Sequence, residues 1–230
     1  MGGRGAHEQT ARFGSCWHFP ILLAFLLPVG ATTAKKQPPF PDKVANARWL
    51  AHTLDWGVLS TTSNRPGRVG KPFGNPYSFS DGTTDNSTGV PYFLASTYDQ
   101  SMHDIFNIDD SDGNGAAHPD VSLTLSEAEL KGHNARTCVT ARRGDPENPP
   151  CTRLVLSGKY VNLTGTAEEA TAKEAFLSRH PLGEEWATFS DFFFGKIDVQ
   201  DVWLIDTFGG ASIIDPAEYF NITVGAEHRG

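Results

Sequence analysis

The chain has 230 residues, with 19 Lys plus Arg against 27 Asp plus Glu, a net charge of -8 and a sequence pI near 5.4. Nucleic acid and an anionic bilayer both need a basic footprint, so this balance excludes them as partners for the chain as a whole. A hydrophobic fraction of 39%, with 15 Phe and 5 Trp, is too rich for a disordered chain and supplies one sizeable core.

Residues 1–34 begin weakly basic (Arg4, Arg12) and run into the apolar stretch Phe19 to Val29. That stretch has the length of a secretory signal and is too short, and too interrupted by Pro20 and Pro28, to anchor in a bilayer. Small residues from Gly30 to Ala34 place the expected cleavage after Ala31 or Ala34. Residues 35–41 are then a Pro-rich lead. No membrane span is expected after cleavage, and the chain is expected in the secretory pathway, extracellular or endolysosomal. Cleavage removes Cys16 and leaves Cys138 and Cys151, which an oxidising compartment is expected to pair across a short polar loop. The sequons Asn86-Ser87-Thr88, Asn162-Leu163-Thr164 and Asn221-Ile222-Thr223 agree with that compartment. They predict N-glycosylation at Asn86, Asn162 and Asn221, which must then lie at the surface.

A single domain is expected over residues 42–224, followed by a tail at 225–230. Asp42 to Leu54 reads as a short amphipathic helix capped by Asp42, with Val44, Ala47, Leu50, Ala51 and Leu54 at helical spacing. Short β runs follow at Trp56–Thr62, Pro76–Ser80, Val90–Ala95, Val121–Leu125, Arg153–Val161, Phe192–Val199 and Val202–Asp206. Asp99 to Phe106 reads as a short helix, and Ala167 to Ser178 as a second, stopped by Pro181. Between them the acidic, Gly-rich insert at residues 107–119 is a solvated loop. Seven strands with two or three helices predict a mainly β fold, a small antiparallel barrel or sandwich with helices outside.

The chain contains no nucleophile elbow, H-E-x-x-H helix, Walker loop or G-x-G-x-x-G turn, so the common hydrolase and nucleotide-binding routes have no support. No two of His52, His103, His118, His133, His180 and His228 have the i, i+4 spacing of a helical metal site. Asp110, Asp112 and Asn114 reproduce the opening of a calcium loop, where oxygen ligands on alternate residues converge around a glycine. The closing Glu is missing, because Val121 stands at the twelfth position, and a solvated acidic loop is the preferred reading.

The sequence resembles the CREG family of secreted glycoproteins over Ala47 to Val224. The blocks that carry the resemblance include Ala47-Arg-Trp-Leu50, Asp55-Trp-Gly-Val-Leu-Ser-Thr61, Ser78-Phe-Ser-Asp-Gly82 and Thr88-Gly-Val-Pro-Tyr-Phe93. Further along they are Val121-Ser-Leu-Thr-Leu125, Arg179-His-Pro181, Trp203-Leu-Ile-Asp206 and Phe208-Gly-Gly210. The two later cysteines fall where the family carries two.

The resemblance implies a split β-barrel of the FMN-binding, pyridoxamine-phosphate-oxidase-like type, usually a homodimer with the cofactor cleft at the subunit interface. It also implies a barrel without the usual enzyme activity, whose glycans are read by mannose-phosphate receptors. Flavin enzymes of this fold place an Arg-Lys pair just before the helix that follows the strand ending here at Ala95. Gln100 and Ser101 stand in those positions, with Asp99 and Asp104 close by. A near-dianionic phosphate needs cations or oriented N–H donors, so no cofactor is expected. The basic loop with Arg65, Arg68 and Lys71 could supply charge from elsewhere. An FMN-dependent oxidoreductase on the same barrel is therefore the alternative reading.

Overall fold

Asp42 opens the first helix as expected: its Oδ1 accepts from the Ala45 amide at 3.0 Å, ahead of α1 (Lys43–Thr53). The expected amphipathic helix is buried on nearly every side, from Ala45 to His52. Its polar residues Asn46, Arg48 and His52 face protein partners, so the side away from the apolar stripe is buried as well. The computed structural model describes residues 37–39, 41–108, 117–130, 138 and 145–222, all within the compact unit spanning 34–230.

Eight strands form one antiparallel sheet in the order β2-β1-β5-β6-β7-β4-β3, with β8 also pairing β7. They are β1 (Trp56–Ser63), β2 (Lys71–Ser78), β3 (Ser80–Thr83), β4 (Asn86–Ser96), β5 (Asp120–Ser126), β6 (Arg153–Asn162), β7 (Phe192–Ile205) and β8 (Ser212–Ile214). The sheet curls on itself: Tyr77 of β2 packs edge-on against Phe93 of β4 at 6.1 Å between centroids. Inward residues such as Leu59, Phe93, Leu123, Leu156, Ile197 and Val202 fill the curl, and Trp49 and Leu50 of α1 join the same core. A second, smaller core lies where α3 (Glu169–Arg179) covers Tyr92, Leu94 and Phe194 through Ala172, Ala175 and Phe176.

The run expected as one strand at Pro76–Ser80 is broken at Phe79, where the chain passes from β2 to β3. The two strands expected at Phe192–Val199 and Val202–Asp206 are one. Asp201 opposes Ser157 while Val199 opposes Gly158, so Gln200 is the extra residue of a β-bulge and the ladder continues through it. Gly158 permits this, since a Cβ there would come within 2.0 Å of the Asp198 carbonyl oxygen. β8, the four-residue α4 (Gly183–Trp186) and α5 (Pro216–Asn221) have no counterpart among the expected elements. The start of α5 was legible: Asp215 caps it through the Ala217 amide at 2.7 Å, with Pro216 in the first turn. Among the described residues no helix is long and apolar enough to cross a membrane.

Candidate functional site

The segment with Gln100 and Ser101 forms the start of α2 (Gln100–Phe106), capped by Asp99, whose Oδ1 accepts from the Ser101 amide at 2.7 Å. Asn75 of β2 donates to the same carboxylate at 3.1 Å. The carboxylate therefore already takes a donor that a phosphate would need. Ser101 is fully buried, and its side chain and the Asp99 carboxylate face the Tyr77 phenol. Burial above all, with the Asp99 carboxylate adding to it, pushes the Tyr77 pKa far up, so this phenol stays neutral. Tyr160, fully enclosed, is pushed up for the same reasons in the same order.

Gln100 turns back along the helix and donates to Asp104 Oδ1 at 2.8 Å. Asp104 is fully buried and also accepts from Thr61 Oγ1 at 2.8 Å and the Asn64 amide at 2.9 Å. Asp104, an acidic neighbour of Gln100 and Ser101 in sequence, is thus an internal acceptor tying α2 to the end of β1. Gln100 and Ser101 do not fit a flavin phosphate. Neither Gln100 nor Ser101 is a cation, one side chain is committed to Asp104, the other is buried, and the charge at the helix start is negative.

The blocks behind the family resemblance meet elsewhere, at Asp81 in β3. This fully buried carboxylate faces His52 Nδ1 of α1 at 2.7 Å and Arg179 Nη1 of α3 at 3.5 Å, and accepts from Ser87 Oγ. Arg179 also donates to the Leu54 carbonyl and to Asp55, both at 2.7 Å. Arg48 donates to the Tyr219 carbonyl at 2.9 Å and to the Ser87 carbonyl at 3.0 Å. His180 bonds the Phe79 carbonyl at 2.8 Å. One buried network thus joins α1, α3, α5 and the β3–β4 hairpin. Its one sequence signal is Arg48 and His52, an i, i+4 polar pair in the otherwise apolar segment Ala47–His52. The serine donates to the aspartate and not to the histidine, so the group is not a nucleophile with its base.

Of the other predicted positions, Asn86, Asn162 and Asn221 are exposed, at the start of β4, the end of β6 and the end of α5. The Asn162 Oδ1 accepts from the Thr164 amide at 2.8 Å. Cys138 and Cys151 are joined as a disulfide, both buried. Asp110, Asp112 and Asn114 lie outside the described residues, as do His133, His228 and residues 1–34. Among the described residues no three His, Cys, Asp or Glu side chains are grouped to hold a metal.

The outer face of the sheet carries one feature that strand alternation alone does not reveal. Pro76, Val58, Thr124, Val155, Trp203 and Ile213 stand opposite one another in register across β2, β1, β5, β6, β7 and β8. Val58, Val155 and Trp203 are half-buried and Ile213 is 69% exposed. The neighbouring row, Ser60, Ser122, Ser157 and Asp201, lines an open groove of about 410 Å³. Neither this groove nor a cleft of about 390 Å³ beside α3, lined by Leu94, Lys173 and Phe192, is lined by Gln100 or Ser101.

The family model described as CREG, beta-barrel matches residues 38–221. Protein CREG1 of Gallus gallus is 34% identical over 209 residues, covering 88% of this chain and 98% of that protein. Protein CREG1 of Homo sapiens is 33% identical, with 83% and 80% covered. Protein CREG2 of Homo sapiens is 36% identical, with 83% and 60% covered. Among solved structures, a heme binding protein from Mycobacterium smegmatis superposes with a TM-score of 0.57 at 17% identity, over 80% of this chain and 62% of that one. An Agrobacterium tumefaciens protein of unknown function superposes with a TM-score of 0.53 at 19% identity, over 79% of this chain and 60% of that one. At such identities these structures speak for the fold, a split β-barrel of the pyridoxamine-phosphate-oxidase-like type.

Proposed function

The chain belongs to the CREG β-barrel family, and from that premise we propose that it is a secreted or endolysosomal glycoprotein. In this reading it is a non-catalytic split barrel that acts through recognition by a receptor or partner. The observation that carries the proposal is the exposure of all three sequon asparagines on three separate elements. Mannose-phosphate receptors are the proposed readers of the glycans. The full chain expressed in mammalian cells should enter the medium, lose mass on enzymatic deglycosylation, and bind such a receptor in a manner competed by free mannose 6-phosphate. Retention in the cytosol, or unchanged mass and receptor binding after all three asparagines are replaced by Gln, would overturn it.

No flavin belongs to this proposal, because the start of α2 presents Asp99 where the phosphate of a flavin would need cations. A colourless protein that leaves FMN fluorescence unquenched supports it. A yellow protein with bound FMN favours the oxidoreductase reading instead. The same preparation tests the proposed homodimer, for which the apolar row through Val58, Val155, Trp203 and Ile213 is the proposed shared face.

A further inference from the structure

The loop between β1 and β2 carries Arg65, Arg68 and Lys71 within seven residues. In Arg65-Pro66-Gly67-Arg68 the Arg68 amide donates to the Arg65 carbonyl at 2.8 Å and Gly67 has φ of +73°, the form of a type II turn with Pro at its second position. Arg68-Val69-Gly70-Lys71 repeats it: Lys71 donates to the Arg68 carbonyl at 3.0 Å and Gly70 has φ of +74°. Arg65, Arg68 and Lys71 are therefore the ends of two successive turns that share Arg68, with the two end Cα atoms of each turn within about 7 Å.

The loop is held before any ligand arrives. Gly70 donates to the Ser63 carbonyl at 2.8 Å. Asn64 is bound through its amide and its side chain to Asp104, at 2.9 Å each. The Arg65 guanidinium lies 4.8 Å from the Phe73 ring centroid, and its Nε donates to Ser63 Oγ at 3.2 Å. None of the three cations is in an ion pair among the described residues. The carboxylate that anchors this loop through Asn64, Asp104, is buried and already accepts from Thr61, Asn64 and Gln100.

We propose that this double turn is a binding site for a linear sulfated polysaccharide, with Arg65, Arg68 and Lys71 each meeting one anionic group. A lone phosphate is better held in a concave pocket of N–H donors, whereas cations spaced along a hairpin tip, Arg68 and Lys71 exposed and Arg65 half-buried, suit a polymer whose charges repeat along its length. The net charge of -8 repels the protein from an extended anionic bilayer, but a thin chain can touch the hairpin tip alone. Single-stranded nucleic acid also needs aromatic platforms, and Phe73 is already covered by Arg65. A polysaccharide partner in the cell rests on the secreted reading above; the binding measurement does not.

The test uses the purified full chain and a size-defined heparin oligosaccharide in biolayer interferometry across a salt series. Binding at about 0.15 M salt is expected, falling as salt rises. Replacing Arg68 and Lys71 by Ser should weaken it by about tenfold or more, and each lost cation should lower the salt slope by about 1. Both residues are exposed, so the thermal midpoint of the variant should match that of the parent. No heparin binding, binding unchanged in the variant, or equal binding to desulfated heparin would overturn the proposal. Equal binding to phosphatidylserine vesicles or to an oligonucleotide would overturn it in favour of those partners. Failure of secretion with intact heparin binding would refute the cellular reading and leave this site standing.

Discussion

Replacing Asp81 by Ala perturbs the point on which the buried network depends. The carboxylate is fully buried, and the change leaves Arg179 and His52 facing an empty position and takes the acceptor from Ser87. Removing one partner of a buried charged group costs about 3–5 kcal/mol, because the remaining charge stays desolvated without compensation. Arg179 keeps Asp55 and the Leu54 carbonyl, which puts the expectation at the lower end, about 3 kcal/mol. With a urea m-value of about 2 kcal/mol per M, the midpoint should fall by about 1.5 M at unchanged slope. Asp81→Asn, which keeps the shape and one acceptor, should lose about half as much. Combining Asp81→Ala with Arg179→Met should cost less than the sum of the single changes by about 1–2 kcal/mol, since the second removes the charge that the first strands. A midpoint shift for Asp81→Ala worth under about 1 kcal/mol, or strict additivity with Arg179→Met, would refute the reasoning.

Three other perturbations have definite signs. Burial pushes the Glu129 carboxyl up to about 7, with the Asp55 charge adding to it and backbone N–H donors of Asp55 and Trp56 opposing, and burial also raises Glu127. A raised carboxyl stabilises the fold fully in acid, below its unfolded value, and loses that contribution as pH rises through about 7. Glu129 is half-exposed, so after screening the effect is about 1 kcal/mol; urea midpoints should fall between pH 4.5 and 7.5 less steeply in Glu129→Gln, and identical slopes would count against it. Gly158→Ala places a methyl within 2.0 Å of a backbone oxygen with no side chain to give way, so it should cost about 2–3 kcal/mol in urea unfolding, and a neutral result would remove the close approach as the reason for glycine. Replacing Cys138 and Cys151 together by Ser opens a bridge spanning 13 residues, with an expected loss of about 2–3 kcal/mol; equal midpoints with and without reductant would show the bridge does not constrain the unfolded chain.

Much of the barrel was legible along the chain. Alternation at β1, β5 and β6 is a period-two pattern in which neighbours two residues apart share a face, and it locates the strands within a residue or two. Caps such as Asp42 and Asp99 act over two or three residues, so they too are visible in sequence. The continuity of β7 was not visible, because a bulge interrupts the alternation and only the partner strand β6 keeps the pairing in step. Nor was β8, three residues long, which pairs with β7 on a single side.

The sequence by itself determined composition, compartment signals, the one pair of later cysteines and the positions of most strands along the chain, since each is a local pattern or a simple count. Only the tertiary structure decided where the charges go. Asp81 and Arg179 meet across 98 residues, Asp104 turns inward to Thr61 across 43, and Ser101 is sealed under Tyr77. The basic loop of Arg65, Arg68 and Lys71 is visible in sequence, but its two successive turns, with Gly67 and Gly70 at positive φ, are a feature of the structure. The physical reason is that a charge is stabilised by whatever surrounds it in space, and in a curled antiparallel sheet those neighbours come from distant parts of the chain.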